Sequence, residues 1–339
     1  MPSDPPYMPQ TPPDPAAPHA QSTASSSGLG GRIRAQIASG VTRLTSGNNP
    51  SIDYTSPPGD PGLFGADSVC WKVHADFTSM MVGGVSALLL QALHPLALAG
   101  VWDHSTFRTD ILGRLRRTAT FIAGTTYAGR ADALALIERV KTIHHQVKGQ
   151  APDGRPYAAD DPALLTWVHV AEVSSFLSAY IRYVDPALSP VDQDRYFNET
   201  ALIAELLGAV DVPKSRAEID RYLAAQYALL EAGPRTHEVV RILMSAPAPS
   251  VASWPAAKLL LGAGVDLLPA WAQAMLGLHR FAPLRRAMVR PGVKSLAPLM
   301  RWALRNGVSK RARARVAAAD RPVTHESAAP GRSPATKPR

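Results

Sequence analysis

A single cysteine, Cys70, in a chain of 339 residues leaves no intrachain disulfide possible and excludes a cysteine-rich zinc site. Aromatic residues are scarce at 6%, while alanine and leucine abound, a balance that favours helix over strand. No His-Glu-x-x-His pair, Gly-rich phosphate loop or Gly-x-Ser-x-Gly elbow occurs, so these motifs give no support to zincin, P-loop or serine-hydrolase chemistry. The N-terminus has no basic region followed by an apolar stretch, so no secretory signal is expected and the protein is read as cytoplasmic. What the chain does have is apolar content: 46% hydrophobic residues suffice for one large core or two small ones.

The net charge of +9 invites a nucleic-acid reading, but its distribution argues against one. Residues 299–339 carry ten Lys/Arg against two Asp/Glu, so +8 sits in that stretch and the rest of the chain is close to neutral. No DNA- or RNA-binding motif accompanies it. A basic tail of this kind suits peripheral attraction to an anionic membrane surface.

Residues 1–59 are poor in large apolar residues and rich in Pro, Ser and turn signals such as Pro57-Pro58-Gly59, which predicts a disordered, low-complexity segment. A helical domain is expected over residues 60–305, followed by a disordered basic tail over 306–339. Within the domain, helices are read from Ser68 to about Leu90, Thr109 to Gly124 and Arg130 to Val147. Another starts at Asp161, an N-cap with Pro162 at the first helical position. Further helices follow over about 190–208, 215–232 and 235–244. A last one, from Ser253 to about Arg290, is broken by Pro269 and Pro283. Few strands alternate convincingly, so the fold class is all-α.

Residues 79–101 are apolar for long enough to span a bilayer. Gln91, His94 and Pro95 inside the run and the small residues at its start favour a buried central helix by roughly four to one.

Three segments place cations or imidazoles among apolar residues at helical spacing. In Gly113-Arg114-Leu115-Arg116-Arg117-Thr118, Arg114, Arg117 and Thr118 fall at i, i+3 and i+4 and share a face, with Arg116 pointing elsewhere. For the arginines alone a solvated basic face is the commoner explanation, at about two to one. In Ile143-His144-His145-Gln146, His144 continues the apolar stripe of Val140 and Val147, whereas His145 lies about a quarter turn away and is expected to be exposed. His169 has Leu165 at i−4 and Val173 at i+4. A core histidine is more often satisfied by a carbonyl or carboxylate than by a metal, and spacing alone gives a ligand role about one chance in four. His94 precedes Pro95 in the apolar run. Residue chemistry alone thus reaches an all-helical protein with a histidine-bearing interior.

Taken together, these segments resemble the catalytic domain shared by rubber oxygenases (latex-clearing proteins) and the MpaB-type oxygenase of mycophenolic acid biosynthesis. The matching pieces are Leu93-His94-Pro95, Gly100-Val101-Trp102-Asp103-His104-Ser105, the Arg114–Thr118 segment, Ile143 to Gly149, Asp153-Gly154-Arg155-Pro156-Tyr157, and Asp161-Pro162 to His169. They span roughly residues 60–278, and their order and spacing carry the resemblance. It implies a globin-like, all-helical bundle around a haem b pocket, with His144 as the proximal iron ligand and Arg114, Arg117 and Thr118 on the distal side. His94 and His169 are then supporting residues of the pocket rather than second iron ligands. The chain departs from the rubber-cleaving pattern at Arg117, where those enzymes carry a lysine able to approach iron. A protonated guanidinium cannot ligate iron, but it can bond dioxygen or a propionate. No acidic residue stands upstream of Arg114 where the rubber-cleaving enzymes place their base.

The resemblance implies a haem-dependent oxygenase acting with dioxygen on an apolar, isoprenoid- or lipid-like small molecule. A non-catalytic haem- or lipid-binding helical protein and a cofactor-free membrane-associated one remain the alternatives.

Overall fold

The structure, a computed structural model, describes residues 52–318 apart from 249, 251, 252 and 306, together with six positions of a helical stretch between 31 and 40. Residues 1–30 and 319–339, to which disorder was assigned from composition, lie outside the described residues.

Thirteen α-helices run between Val69 and Ala317: α1 Val69–His74, α2 Phe77–Gln91, α3 Pro95–His104, α4 Ile111–Tyr127, α5 Arg130–Gln146, α6 Pro162–Tyr183, α7 Pro190–Leu207, α8 Arg216–Gln226, α9 Pro234–Met244, α10 Trp254–Leu267, α11 Ala270–Met275, α12 Ala282–Ala303 and α13 Val308–Ala317. The only strands among the described residues, β1 Lys148–Gln150 and β2 Pro156–Ala158, form a small antiparallel hairpin between α5 and α6. The chain is all-α.

Local chemistry sets the helix starts. Asp161 accepts from the Ala163 and Leu164 N–H groups ahead of Pro162, Asp76 caps α2 through Ser79 N, Asp110 caps α4 through Gly113 N, and Ser189 caps α7. Gly208 ends α7 at φ 106°, a left-handed conformation that favours glycine.

Helices α2 and α6 form the centre, with α10 against α2 and α12 against α10. Their interface buries Leu89, Leu90, Leu93, Trp167 and Ala171. Gly83 permits the close approach, since a Cβ there would sit 2.9 Å from Phe176 Cα. Residues 79–101 therefore form no straight span. They bend by 105° between α2 and α3, and most of α2 is buried. Among the described residues α6 alone is long and apolar enough as a single helix to cross a membrane, and two thirds of its apolar window is buried inside the protein.

Two expectations need correction. The basic segment from 306 is not wholly a tail: residues 308–317 form α13, packed on α4, with Ala312 and Arg315 buried. The Arg315 guanidinium donates to the carbonyls of Asp60, Tyr54, Tyr127 and Ala128 at 2.8–3.2 Å. The ordered core also begins before residue 60, with Tyr54 buried beside Trp71 and Ala312. Helix α12 continues to Ala303 through Pro291 and Pro298, two residues whose chemistry argues for a break.

Helices α4 and α5 pack on each other and reach the rest chiefly through α1, α7 and α13, not through close packing on α6. Leu112, Leu115, Phe121 and Ile122 of α4 consequently remain half-buried.

Candidate functional site

The α4–α5 pair brings two of the sequence-identified segments together. Arg114 on α4 lies near enough to His144 on α5 to depress its imidazole pKa, adding to the larger effect of burial, while Asp160 opposes both. Burial also lowers the pKa of Arg114 itself. A desolvated imidazole beside a guanidinium is held neutral, the form that ligates metals. Its Nδ1 is buried with no hydrogen-bond partner.

Arg117 does not join them. It is more than half exposed, its guanidinium donating to Thr106 Oγ1 at 2.8 Å with Asp110 at 3.8 Å. The shared stripe splits because the Thr106 hydroxyl, in the 3-10 turn before α4, and the Asp110 carboxylate, at its N-cap, capture the outer arginine. The Thr118 hydroxyl donates to the Arg114 carbonyl at 3.2 Å, a back-bond that fixes its rotamer.

His145 is exposed, as its spacing predicts, with Nδ1 2.8 Å from Asp160 Oδ2. His94 is buried and caps α3, its Nδ1 accepting from Ala97 N at 3.4 Å, and its ring lies 5.9 Å from Trp167. A histidine at that cap position has a structural duty. His169 is hemmed in by protein, and burial lowers its pKa to about 4. Its Nε2, like Trp167 Nε1, is buried without a partner.

The segments around 100–105 and 153–157 meet as a structural clamp. Tyr157 OH donates to Asp103 Oδ2 at 2.7 Å, Asp103 also pairs with Arg235 at 3.6 Å, and the Arg108 and Arg235 guanidinium groups lie over the Trp102 ring. Gly149 leaves room for the Tyr157 ring edge, since a Cβ there would lie 2.5 Å from its hydroxyl.

Sequence reasoning missed a buried polar group between α1, α6 and α7. His74 bridges the hydroxyls of Thr126 and Tyr196, each at 2.9 Å, and burial pushes its pKa down to about 3. Glu172 on α6 influences the same Tyr196 hydroxyl, and burial raises its own carboxyl to about 7. One signal was available: Glu172 is the only acidic residue in α6. On that helix it stands three residues after His169, on the same face.

Two cavities lie elsewhere. One of about 250 Å3 is lined by residues including Ser174, Arg182 and Asp220, the other of about 330 Å3 by residues of α12 and α13. None of Arg114, Arg117, Thr118, His144, His169 and His94 lines either. Among the described residues no three His, Cys, Asp or Glu side chains converge to hold a metal ion. A porphyrin-bound iron asks the protein for only one or two axial ligands.

Comparison with known proteins decides the family. Residues 71–305 match the family described as ER-bound oxygenase mpaB/B'/Rubber oxygenase, catalytic domain. The chain belongs to this mpaB/rubber oxygenase family. Comparison with curated proteins and with solved structures gives no match. The family is one of oxygenase catalytic domains, so enzymatic oxygenation of a small molecule is the activity it supports.

Tested against a haem, this mpaB/rubber oxygenase domain has suitable donor chemistry. His144 is a neutral, desolvated imidazole, Arg114 is a partly desolvated cation, and buried nitrogens of His144, Trp167 and His169 lack a hydrogen-bond partner.

Proposed function

We propose that the protein is a haem b-dependent oxygenase that acts with dioxygen on an apolar, isoprenoid- or lipid-like small molecule. The observation that carries the reading is the buried, unpartnered Nδ1 of His144 on an imidazole kept neutral by burial and by Arg114. In this reading His144 would hold the iron and Arg114 would pair with a haem propionate. When bound, the haem supplies dioxygen binding and activation. His94 supports the site by fixing the start of α3 against Trp167.

The protein's own residues supply binding and proton handling. The half-buried Leu112, Leu115, Phe121 and Ile122 of α4 offer apolar surface to a hydrocarbon substrate. Helix α6 starts beside Asp160, which acts on His144. From the Asp161 cap, His169 lies about 12 Å and Glu172 about 16 Å along the helix axis. A carboxyl near pKa 7 is matched to give or take a proton at neutral pH, and in this reading Glu172 is the proton-transferring acid. Thr118 holds the α4 backbone at Arg114. Arg117, bound to Thr106, acts at the mouth of the site rather than within it.

Spectra of the purified protein with and without added haem test the assignment. A Soret band is expected in the wild type, retained in His145→Ala and lost in His144→Ala; equal retention in both variants sinks it. Consumption of dioxygen with a reductant and an isoprenoid substrate separates an oxygenase from a non-catalytic haem- or lipid-binding protein.

A further inference from the structure

The C-terminal end of α12, the start of α13 and the start of α2 enclose a cavity of about 330 Å3. Arg301, Arg305, Lys310 and Arg313 line it together with Thr78 and Ser309, and no acidic residue does. Asp76, at the rim, engages Arg301 at 2.6 Å, and Arg313 donates to the Ala66 carbonyl at 2.9 Å while its guanidinium lies over Trp71. Arg305 and Lys310 have no ion-pair or hydrogen-bond partner among the described residues, and the Thr78 hydroxyl is buried and unpartnered. Ser309 and Lys310 belong to the first turn of α13, a ten-residue helix with no side-chain cap.

A run of surface cations is usually a solvated face. Here the turn between α12 and α13 folds four cations of one stretch, residues 301–313, onto a single concavity whose opposite wall is the start of α2 with the unpartnered Thr78 hydroxyl, and one carboxylate stands at its edge. Such like-charge convergence opposes folding unless an anion offsets it. Guanidinium forks, an ammonium, a hydroxyl and uncapped helix N–H groups are together the donor set that a phosphate requires.

We propose that this cavity binds a phosphate group, carried by a soluble phosphomonoester or by a phospholipid headgroup. The site is separate from His144, and its test needs no haem. Leu299, beside the lining residue Met300, is 45% exposed, and toward the other end of α12, roughly 20–30 Å along the helix, Phe281, Leu284 and Met288 are 70%, 61% and 66% exposed. That apolar flank is the reason to test a lipid source alongside the soluble one.

The test uses the full-length protein, the double variant Arg305→Gln/Lys310→Gln, and Lys294→Gln, which changes an exposed cation of α12 that does not line the cavity. Inorganic phosphate is titrated by calorimetry and by thermal shift against chloride at equal ionic strength. Co-sedimentation uses phosphatidylcholine vesicles with and without phosphatidic acid. Saturable phosphate binding is expected in the wild type and in Lys294→Gln, weakened about tenfold or more in the double variant. Vesicle binding that requires phosphatidic acid and is competed by phosphate assigns the headgroup source; saturable phosphate binding without vesicle binding assigns the soluble one. Chloride matching phosphate, no saturable binding to either probe, or an unweakened double variant with an unchanged melting temperature overturns the proposal.

Discussion

Arg114 and His144 stand on two consecutive helices that pack on each other, and the guanidinium of the first helps to hold the imidazole of the second neutral. Arg117, one turn further along α4, faces the solvent instead and is tied to Thr106. The pair predicts unequal arginines. Arg114→Ala should weaken haem retention about tenfold, as expected when a desolvated charge loses its role. Arg117→Ala should change it by no more than about twofold, since exposed ion pairs contribute little. Haem titration and cyanide affinity read both; equal losses would return the two arginines to a common function.

Glu172 predicts a pH dependence of stability. Its folded carboxyl keeps a proton up to about 7 against an ordinary 4.5, so the folded state binds more protons across that window. Stability therefore falls as pH rises from 4.5 to 7, by roughly 2–3 kcal/mol for this group. His74 and His169, depressed to about 3 and about 4, act in the opposite sense and lose stability as pH falls below 6.5. Glu172→Gln should match the wild type near pH 4 and exceed it at pH 8. Urea midpoints across this range measure the effect, and parallel curves would contradict it.

Arg315 predicts that α13 belongs to the folded domain. Replacing it with Ala leaves the carbonyls of Asp60, Tyr54, Tyr127 and Ala128 without their donor. The cost is expected at roughly 3 kcal/mol or more. Truncation after Arg305 should destabilise at least as much. A truncated chain with an unchanged denaturation midpoint would mean that α13 contributes nothing to the fold.

Neighbouring glycines of α2 predict opposite outcomes. A Cβ at Gly83 would meet Phe176 Cδ1 at 2.8 Å and its Cα at 2.9 Å, a backbone contact that cannot yield cheaply. Gly83→Ala should cost about 1–3 kcal/mol. At Gly84 the nearest atom is 3.9 Å away, and Ala should be neutral or up to about 1 kcal/mol stabilising through helix propensity. Thermal melts of the two variants decide the matter; the same sign in both would show that α2 and α6 do not approach as closely as described.

Much of the secondary structure was legible because its determinants are local. The Asp161-Pro162 start of α6, the end of α7 at Gly208 and the placement of His144 against His145 follow from capping chemistry and a 3.6-residue period. The expected end near Arg290 falls short because packing on α10 carries α12 on through Pro291 and Pro298 to Ala303. The basic composition of residues 306–339 suggested a tail, yet the buried Arg315 is satisfied by carbonyls from two distant segments, Tyr54–Asp60 and the end of α4 at Tyr127 and Ala128, which no local pattern announces.

The site divides in the same way. Sequence by itself determined that His144 and His169 sit on apolar helical stripes and that Arg114, Arg117 and Thr118 share one helix face. Tertiary structure decided which of them meet. Arg114 turns inward while Arg117 is held outside by Thr106 and Asp110, and Glu172 and His74 come together around Tyr196 from helices about 100 residues apart. Periodicity describes one helix at a time, whereas desolvation and charge proximity, which set the chemistry of these groups, arise only between helices.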